Sequence, residues 1–237
     1  MSGTLVGVGV GPGDPELLTV KGLRALTEAD EVFVPVGDTG EVGRAEAVVR
    51  AHLGEEPGRL RRLLFALSDD EKARNASWER AARTVAAALS EGKRCAFATI
   101  GDPNVYSTFT YLARTVRGLL PGVEVETVPG IMAMQDLASR SGTVLTLGDE
   151  KLVLLPFTAG KEVLEDALRG FETVVCYKGG GRLREVLDAA ERAGRMEGAV
   201  YGARLGMEGE EVVRAGEMVG REGTYLATVI FKDGGTL

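Results

Sequence analysis

Cysteine and histidine are nearly absent from these 237 residues: Cys95 and Cys176 stand apart, and His52 is the single histidine. Without a CxxC spacing, and with each cysteine inside an apolar run, the sequence supports neither a zinc site nor a disulfide framework, and no protein-bound metal is expected. A basic surplus is also missing, since 28 Lys and Arg face 35 Asp and Glu for a formal charge of −7. A general nucleic-acid binder needs a basic face to displace counterions from phosphate, so nucleic acid is not an expected partner. Apolar runs long enough to cross a bilayer do not occur, and the start Met1-Ser2-Gly3-Thr4 has no basic lead of the signal-peptide kind. The expectation is a cytoplasmic protein without a membrane partner.

What remains is ordinary for a folded enzyme in its 44% hydrophobic and 27% charged residues, and unusual in its 33 glycines. That is about twice the usual share of roughly 7%, which implies many tight turns or close backbone approaches. Short apolar runs alternate with amphipathic segments from end to end, the pattern of an α/β protein. Strands are expected at Leu5–Val10, Val32–Val36, Leu60–Ala66, Arg94–Ile100 and Val123–Val128. Further strands follow at Lys151–Leu155, Thr173–Lys178, Ala199–Arg204, Glu211–Arg214 and Thr224–Phe231. Asp14 and Pro15 read as the cap and first residue of a helix whose buried stripe is Leu17, Leu18, Leu23 and Leu26. The clearest helical period runs from Asp70 to Glu91, with Trp78, Ala82, Val85 and Leu89 on one face. The polar, glycine-broken stretch from Ser141 to Asp149 is the best linker candidate, giving two α/β domains over 1–143 and 144–237.

Three glycine-containing turns each follow an expected strand: Gly9-Val10-Gly11-Pro12-Gly13-Asp14-Pro15, Gly101-Asp102-Pro103 and Pro129-Gly130-Ile131. In a parallel sheet all three lie at the carboxyl edge, where open α/β sheets bind ligands. The first turn fits no GxGxxG register, because Pro12 or Asp14 stands where the third glycine belongs, and no Walker A motif exists. Dinucleotide and nucleoside-triphosphate readings lose their main support. Asp102 has two readings, an acceptor for a ribose or ammonium group or a cap on the following helix.

The run from Gly7 to Thr19 resembles the opening signature of the tetrapyrrole (corrin/porphyrin) methylases. Gly101-Asp102-Pro103 with Tyr106-Ser107 is similar to their second signature, and Val128-Pro129-Gly130-Ile131 to their third. The Pro-Glu-Leu-Leu-Thr-Val-Lys continuation, Gly148 to Leu152, Tyr177-Lys178 and Tyr225 to Thr228 resemble the C20-methylating branch of cobalamin synthesis. The resemblance implies two α/β domains with S-adenosylmethionine as methyl donor in an inter-domain cleft, a tetrapyrrole small molecule as substrate, and a homodimer. Carried over by motif, Pro12, Gly101, Asp102, Pro103 and Val105 line the cofactor pocket, with Gly130, Ile131, Met132 and Ala133 beside them. Tyr177, Lys178, Tyr201, Gly202 and Ala203 complete it from the second domain. Two departures stand out: Met132-Ala133 replace the small hydroxyl residues common after Pro-Gly-Ile, and Ala203 stands where an acidic residue is expected beside Arg204.

No His/Asp/Ser constellation or paired carboxylate announces a general base. Tyr106 and Lys178 are the candidates for substrate-side catalytic roles, the first to hydrogen-bond and the second to meet a carboxylate; either also suits a structural place at its element's end. A tetrapyrrole precursor is rich in acetate and propionate groups, so an acidic protein must supply local cations. Arg61 and Arg62, next to Arg59, and Arg182, next to Arg184, are the clusters available, since arginine pairs bidentately with carboxylates. Solvated surface is the alternative for both. Methylation at another ring carbon or of uroporphyrinogen is the nearest rival function, and a non-catalytic S-adenosylmethionine sensor is the rival from another class.

Overall fold

The computed structural model describes residues 3–37, 40–54, 58–65 and 71–233. The chain forms two compact units, Met1–Met132 and Ala133–Leu237. In the first, strands β1 (Thr4–Gly9), β2 (Glu31–Val36), β3 (Leu60–Leu64), β4 (Cys95–Thr99) and β5 (Glu124–Val128) alternate with helices α1 (Val20–Thr27), α2 (Arg44–Leu53), α3 (Glu71–Ser90) and α4 (Thr108–Leu119). They build one sheet in the order β3-β2-β4-β1-β5, with every pair parallel. Ala66 and Asp70, expected ends of a strand and a helix, lie outside the described residues.

Both faces of this sheet are covered, which is why β1 and β4 read as continuous apolar runs. Leu5, Phe33 and Phe97 point into a core shared with α3 and α4, while Val6, Val8, Val34 and Ala98 point into one shared with α1 and α2. The alternation places Gly7 on the α4 side, where a Cβ would lie 2.4 Å from the Phe109 ring. That glycine lets α4 lie directly on β1.

The first helix differs from expectation. Asp14 and Pro15 open only a 3-10 turn, Pro15–Leu17, in which Asp14 Oδ1 accepts the Glu16 amide at 2.9 Å. Leu18 is then extended, and the α-helix restarts at Val20, capped by Thr19 Oγ1 accepting from the Gly22 amide at 3.0 Å. The interruption leaves Leu17, Leu18 and Leu23 half-buried; of the expected stripe Leu26 is buried, joined by Gly22 and Ala25. His52, expected as a plain surface residue, donates from Nε2 to the Pro15 carbonyl at 2.9 Å and ties α2 to this turn.

The second unit contains α5 (Ala133–Ser141), β6 (Leu152–Pro156), α6 (Lys161–Gly170), β7 (Thr173–Tyr177), α7 (Leu183–Arg192), β8 (Ala199–Ala203), β9 (Glu211–Arg214) and β10 (Thr228–Lys232). Its sheet order is β6-β7-β10-β8-β9, with β6 and β7 parallel and β10 antiparallel to both neighbours. Helices α6 and α7 pack on one face, α5 on the other. The boundary falls before α5 rather than at the polar stretch from Ser141 to Asp149, because Leu137 and Ala138 bury against Val175, Val200 and Ile230. The last strand starts at Thr228, four residues later than expected, since Thr224 and Ala227 close a turn through an amide-to-carbonyl bond of 3.0 Å. Among the described residues, no helix is long and apolar enough to cross a membrane.

One buried carboxylate stitches the first unit's edge. Glu46 on α2 has no exposed side-chain surface, and it accepts from Arg62 Nε on β3 at 2.9 Å, from Arg50 Nε at 2.8 Å and from the Gly43 amide at 3.2 Å. Burial pushes its pKa up, but the bonds from Arg62, Gly43 and Arg50 outweigh that and hold it below the ordinary carboxylate value. Glu46→Gln is expected to cost about 2–3 kcal/mol in urea unfolding at pH 7, less than the roughly 3–5 kcal/mol of a fully buried pair because both arginines keep some solvent. The lowered pKa places this stabilisation above the unfolded carboxylate's titration and removes it as pH falls through the folded value. The gap between wild type and variant therefore closes in acid; a gap independent of pH would contradict the ionic role.

Candidate functional site

The three glycine turns converge at the carboxyl edge of the first sheet. Strand order makes β4, β1 and β5 neighbours, so the chain leaving each strand meets the other two. The Gly101 amide donates to the Gly11 carbonyl at 2.8 Å, joining the first turn to the second. A Cβ on Gly130 would lie 2.2 Å from the Gly101 carbonyl oxygen, and one on Gly9 2.6 Å from the Gly130 nitrogen. The turns thus touch backbone to backbone, with no space for side chains between them. Gly101 is different: its φ is +69°, and its missing Cβ faces space with no atom within 4 Å. Backbone there is open to an approaching ligand, while Pro12 on the first turn is buried.

Asp102 holds the cradle together. Its Oδ1 accepts the Asn104 amide at 2.8 Å and its Oδ2 the Gly130 amide at 3.1 Å, so one carboxylate fixes the second turn and clamps the third. It does not cap α4: the amides it accepts lie in its own turn and in the third turn. That helix is capped by Ser107, whose hydroxyl accepts the Phe109 amide at 3.1 Å and lies 3.0 Å from Thr99 Oγ1. Between them, Pro103 is buried and Val105 half-buried. Tyr106 is exposed and left-handed at φ +49°, a conformation that costs a non-glycine residue about 1–2 kcal/mol. Partial burial pushes its phenol pKa up.

The chain passes through half-buried Ile131 and Met132 into α5 at Ala133. Within the second unit, the start of α5 is fixed by the Met134 amide donating to the Tyr177 hydroxyl at 3.0 Å, and its middle by Leu137 resting where a Gly202 Cβ would be, 2.5 Å away. Tyr177 and Gly202 both face Thr228 in register, so the ends of β7 and β8 flank the start of β10. Ala133, Tyr177, Lys178, Gly202 and Ala203 are therefore gathered at one edge. Tyr201 is not part of that edge as a side chain: it is fully buried in the α6–α7 core, with its hydroxyl accepting the Thr224 amide at 3.3 Å. Strand alternation turns it away, which corrects its place among the cofactor contacts.

The arginines chosen from the sequence are already paired. Arg61 meets Glu31 at 2.8 Å and stacks over Phe33, Arg62 meets buried Glu46, and Arg182 forms a fork with Glu185 at 2.7 and 2.5 Å over the Phe157 ring. Neighbouring carboxylates are invisible to a reading based on clusters of like charge. The sequence also gave no hint that Lys178 (φ +58°) and Arg204 (φ +52°) are left-handed, since neither residue type favours that region. Cys95 and Cys176 are buried with thiols pushed up to about 12 by burial, and are inert as nucleophiles. Among the described residues no cluster of His, Cys, Asp and Glu is arranged to hold a metal. The site offers backbone groups and shape rather than an acid–base pair.

Residues 4–218 match the family model of the tetrapyrrole (corrin/porphyrin) methylases. The chain is 33% identical to precorrin-2 C(20)-methyltransferase of Sinorhizobium sp. over 96% of its own length and 94% of the relative's. It is 29% identical to the cobalt-precorrin-2 C(20)-methyltransferase of Salmonella typhimurium over 90% and 89%. Uroporphyrin-III C-methyltransferase from Thermus thermophilus, solved with S-adenosylhomocysteine, superposes with a TM-score of 0.65 at 25% identity, covering 98% of each chain.

The cradle makes a graded prediction for alanine. Gly130→Ala forces a methyl group into backbone that cannot give way and is expected to cost about 3 kcal/mol or more. Gly101→Ala carries only the left-handed penalty of about 1–2 kcal/mol. Thermal unfolding of the two variants checks the order, and equal losses would contradict the contact between the second and third turns.

Proposed function

Because the chain belongs to the tetrapyrrole (corrin/porphyrin) methylase family, we propose that it transfers a methyl group from S-adenosylmethionine to C20 of precorrin-2, or of its cobalt-containing equivalent, in cobalamin synthesis. The observation that carries this reading is the near end-to-end match to C20-methyltransferases, together with a glycine cradle that leaves Gly101 open. Relatives of both kinds, metal-free and cobalt-loaded, are matched at similar identity, so both substrates stay in the proposal.

The residues present suit S-adenosylmethionine. A cradle of glycine backbone admits a flat, polar nucleoside closely, and no basic phosphate-binding cluster stands at these turns. When bound, the donor supplies an electrophilic methyl group on a sulfonium, and the receiving ring carbon gives up a proton. The protein's part is placement, because holding donor and acceptor in line removes most of the entropic barrier. In this proposal Pro12, Gly101, Pro103 and Val105 shape one wall with Gly130, Ile131, Met132 and Ala133. Asp102 keeps Gly101 and Gly130 in place. Tyr177, Lys178, Gly202 and Ala203 act from the second unit. Tyr106 and Lys178 keep their substrate-side roles, and the active form is a cytoplasmic homodimer.

Incubation with methyl-labelled S-adenosylmethionine and precorrin-2 or cobalt-sirohydrochlorin is expected to place one label at C20, as read by mass spectrometry and NMR. A label on another carbon overturns the regiochemistry; tight donor binding without turnover favours a sensor. Gly101→Ala is expected to weaken S-adenosylhomocysteine binding at least tenfold in calorimetry while the protein stays folded. Unchanged affinity would remove Gly101 from the proposed wall.

A further inference from the structure

The reading above makes the substrate a polycarboxylate, and the inference here rests on that reading. A chain of net charge −7 must meet such a ligand with cations that its own carboxylates have not neutralised. Arg61, Arg62 and Arg182 do not qualify, being held by Glu31, Glu46 and Glu185. Arg204 does. It is exposed just beyond the end of β8, and no described carboxylate lies within ion-pair distance of its guanidinium. Of the acidic residues that follow, Glu210 is held by Arg140 at 2.9 Å and by the Gly206 amide at 2.6 Å and Glu211 by Arg221 at 2.6 Å, while Glu208 is exposed to solvent.

The backbone around Arg204 is built to hold that position. Its left-handed φ of +52° suits glycine or asparagine, yet an arginine occupies it. Left-handed Gly206 and Gly209 follow, and the Met207 amide donates back to the Arg204 carbonyl at 3.0 Å. Leu205 is buried against α5, and Arg140, braced by Asp136 at 2.8 Å, grips Glu210 from the same helix. Gly209 leaves room for the guanidinium, since a Cβ there would fall 2.8 Å from Arg204 Nη1. Backbone strain retained at a non-glycine residue by such a frame is a mark of functional sites.

We propose that Arg204 is a substrate-specificity residue that receives a side-chain carboxylate of the tetrapyrrole. Lys178 occupies the matching place after β7, also left-handed and exposed. Because β7 and β8 both pair with β10, the two cations leave the sheet roughly two strand spacings apart, about 10 Å, which suits two carboxylates on the rim of one macrocycle.

The test compares wild type with Arg204→Gly and Arg204→Lys. Glycine relieves the strained backbone, so this variant is expected to unfold at the same or a higher temperature. Its affinity for cobalt-sirohydrochlorin, followed by absorbance titration, is expected to fall at least tenfold and to depend less on salt, while its affinity for S-adenosylhomocysteine stays within twofold. Lysine is expected to restore part of the loss. Unchanged tetrapyrrole affinity in Arg204→Gly overturns the inference, and so does a parallel fall in both affinities, which would mark a structural residue. Wild-type turnover separates the two levels: methylation at C20 with no effect of Arg204→Gly sinks only this inference. A wild type that binds no tetrapyrrole sinks both.

Discussion

Backbone contact among Gly9, Gly101 and Gly130 is the constraint on which the candidate site depends. The chain leaving three parallel strands is brought so close that a single methyl group at either Gly9 or Gly130 would strike main-chain atoms. Such proximity is available only because β1 lies between β4 and β5, and it leaves little for side chains to do except hold the turns in register. Asp102 does this with both of its oxygens. A carboxylate that accepts one backbone amide on each oxygen holds two turns in register.

Much of this was legible in the sequence, and the reason is physical. Parallel strands buried on both faces leave long apolar runs, and turns without room for Cβ leave glycines in fixed order, so the strands and the three turns stand out in the text. Side-chain partners leave no such trace. Arg61 and Arg62 read as open cations because Glu31 and Glu46 are many residues away in the chain, and Tyr201 reads as a cofactor wall until strand register turns it into the core. The split at Leu18 was hidden because Asp14-Pro15 and Thr19 are both good helix starts, and only the second is followed by a full helix. The unit boundary was misplaced for a similar reason: polarity marks a loop, but the packing of Leu137 decides which core a helix joins.

The second unit distributes its rigidity differently. Its edge is shaped by non-glycine residues held left-handed after β7 and β8, and by α5 locked through Tyr177 below and the Arg140–Glu210 pair above. Strain at Arg204 is sustained by surrounding contacts and not by local preference. The first unit's edge rests mainly on removed side chains, with Tyr106 as its one described left-handed non-glycine residue, whereas the second places two such residues at its edge.

The place of β10 sets a timetable for synthesis. It is the middle strand of the second sheet but the last of that sheet's strands to be made, so β6 with β7 and β8 with β9 emerge from the ribosome as two half-sheets without their common partner. The first sheet also waits for its middle strand, β4, which is made after β1, β2 and β3, but β5 completes it long before the chain reaches β8. Nascent chains should therefore carry a finished first unit beside a second with two exposed strand edges, the state most open to mispairing. For this protein the vulnerable interval in folding is the short time before residues 228–232 leave the exit tunnel.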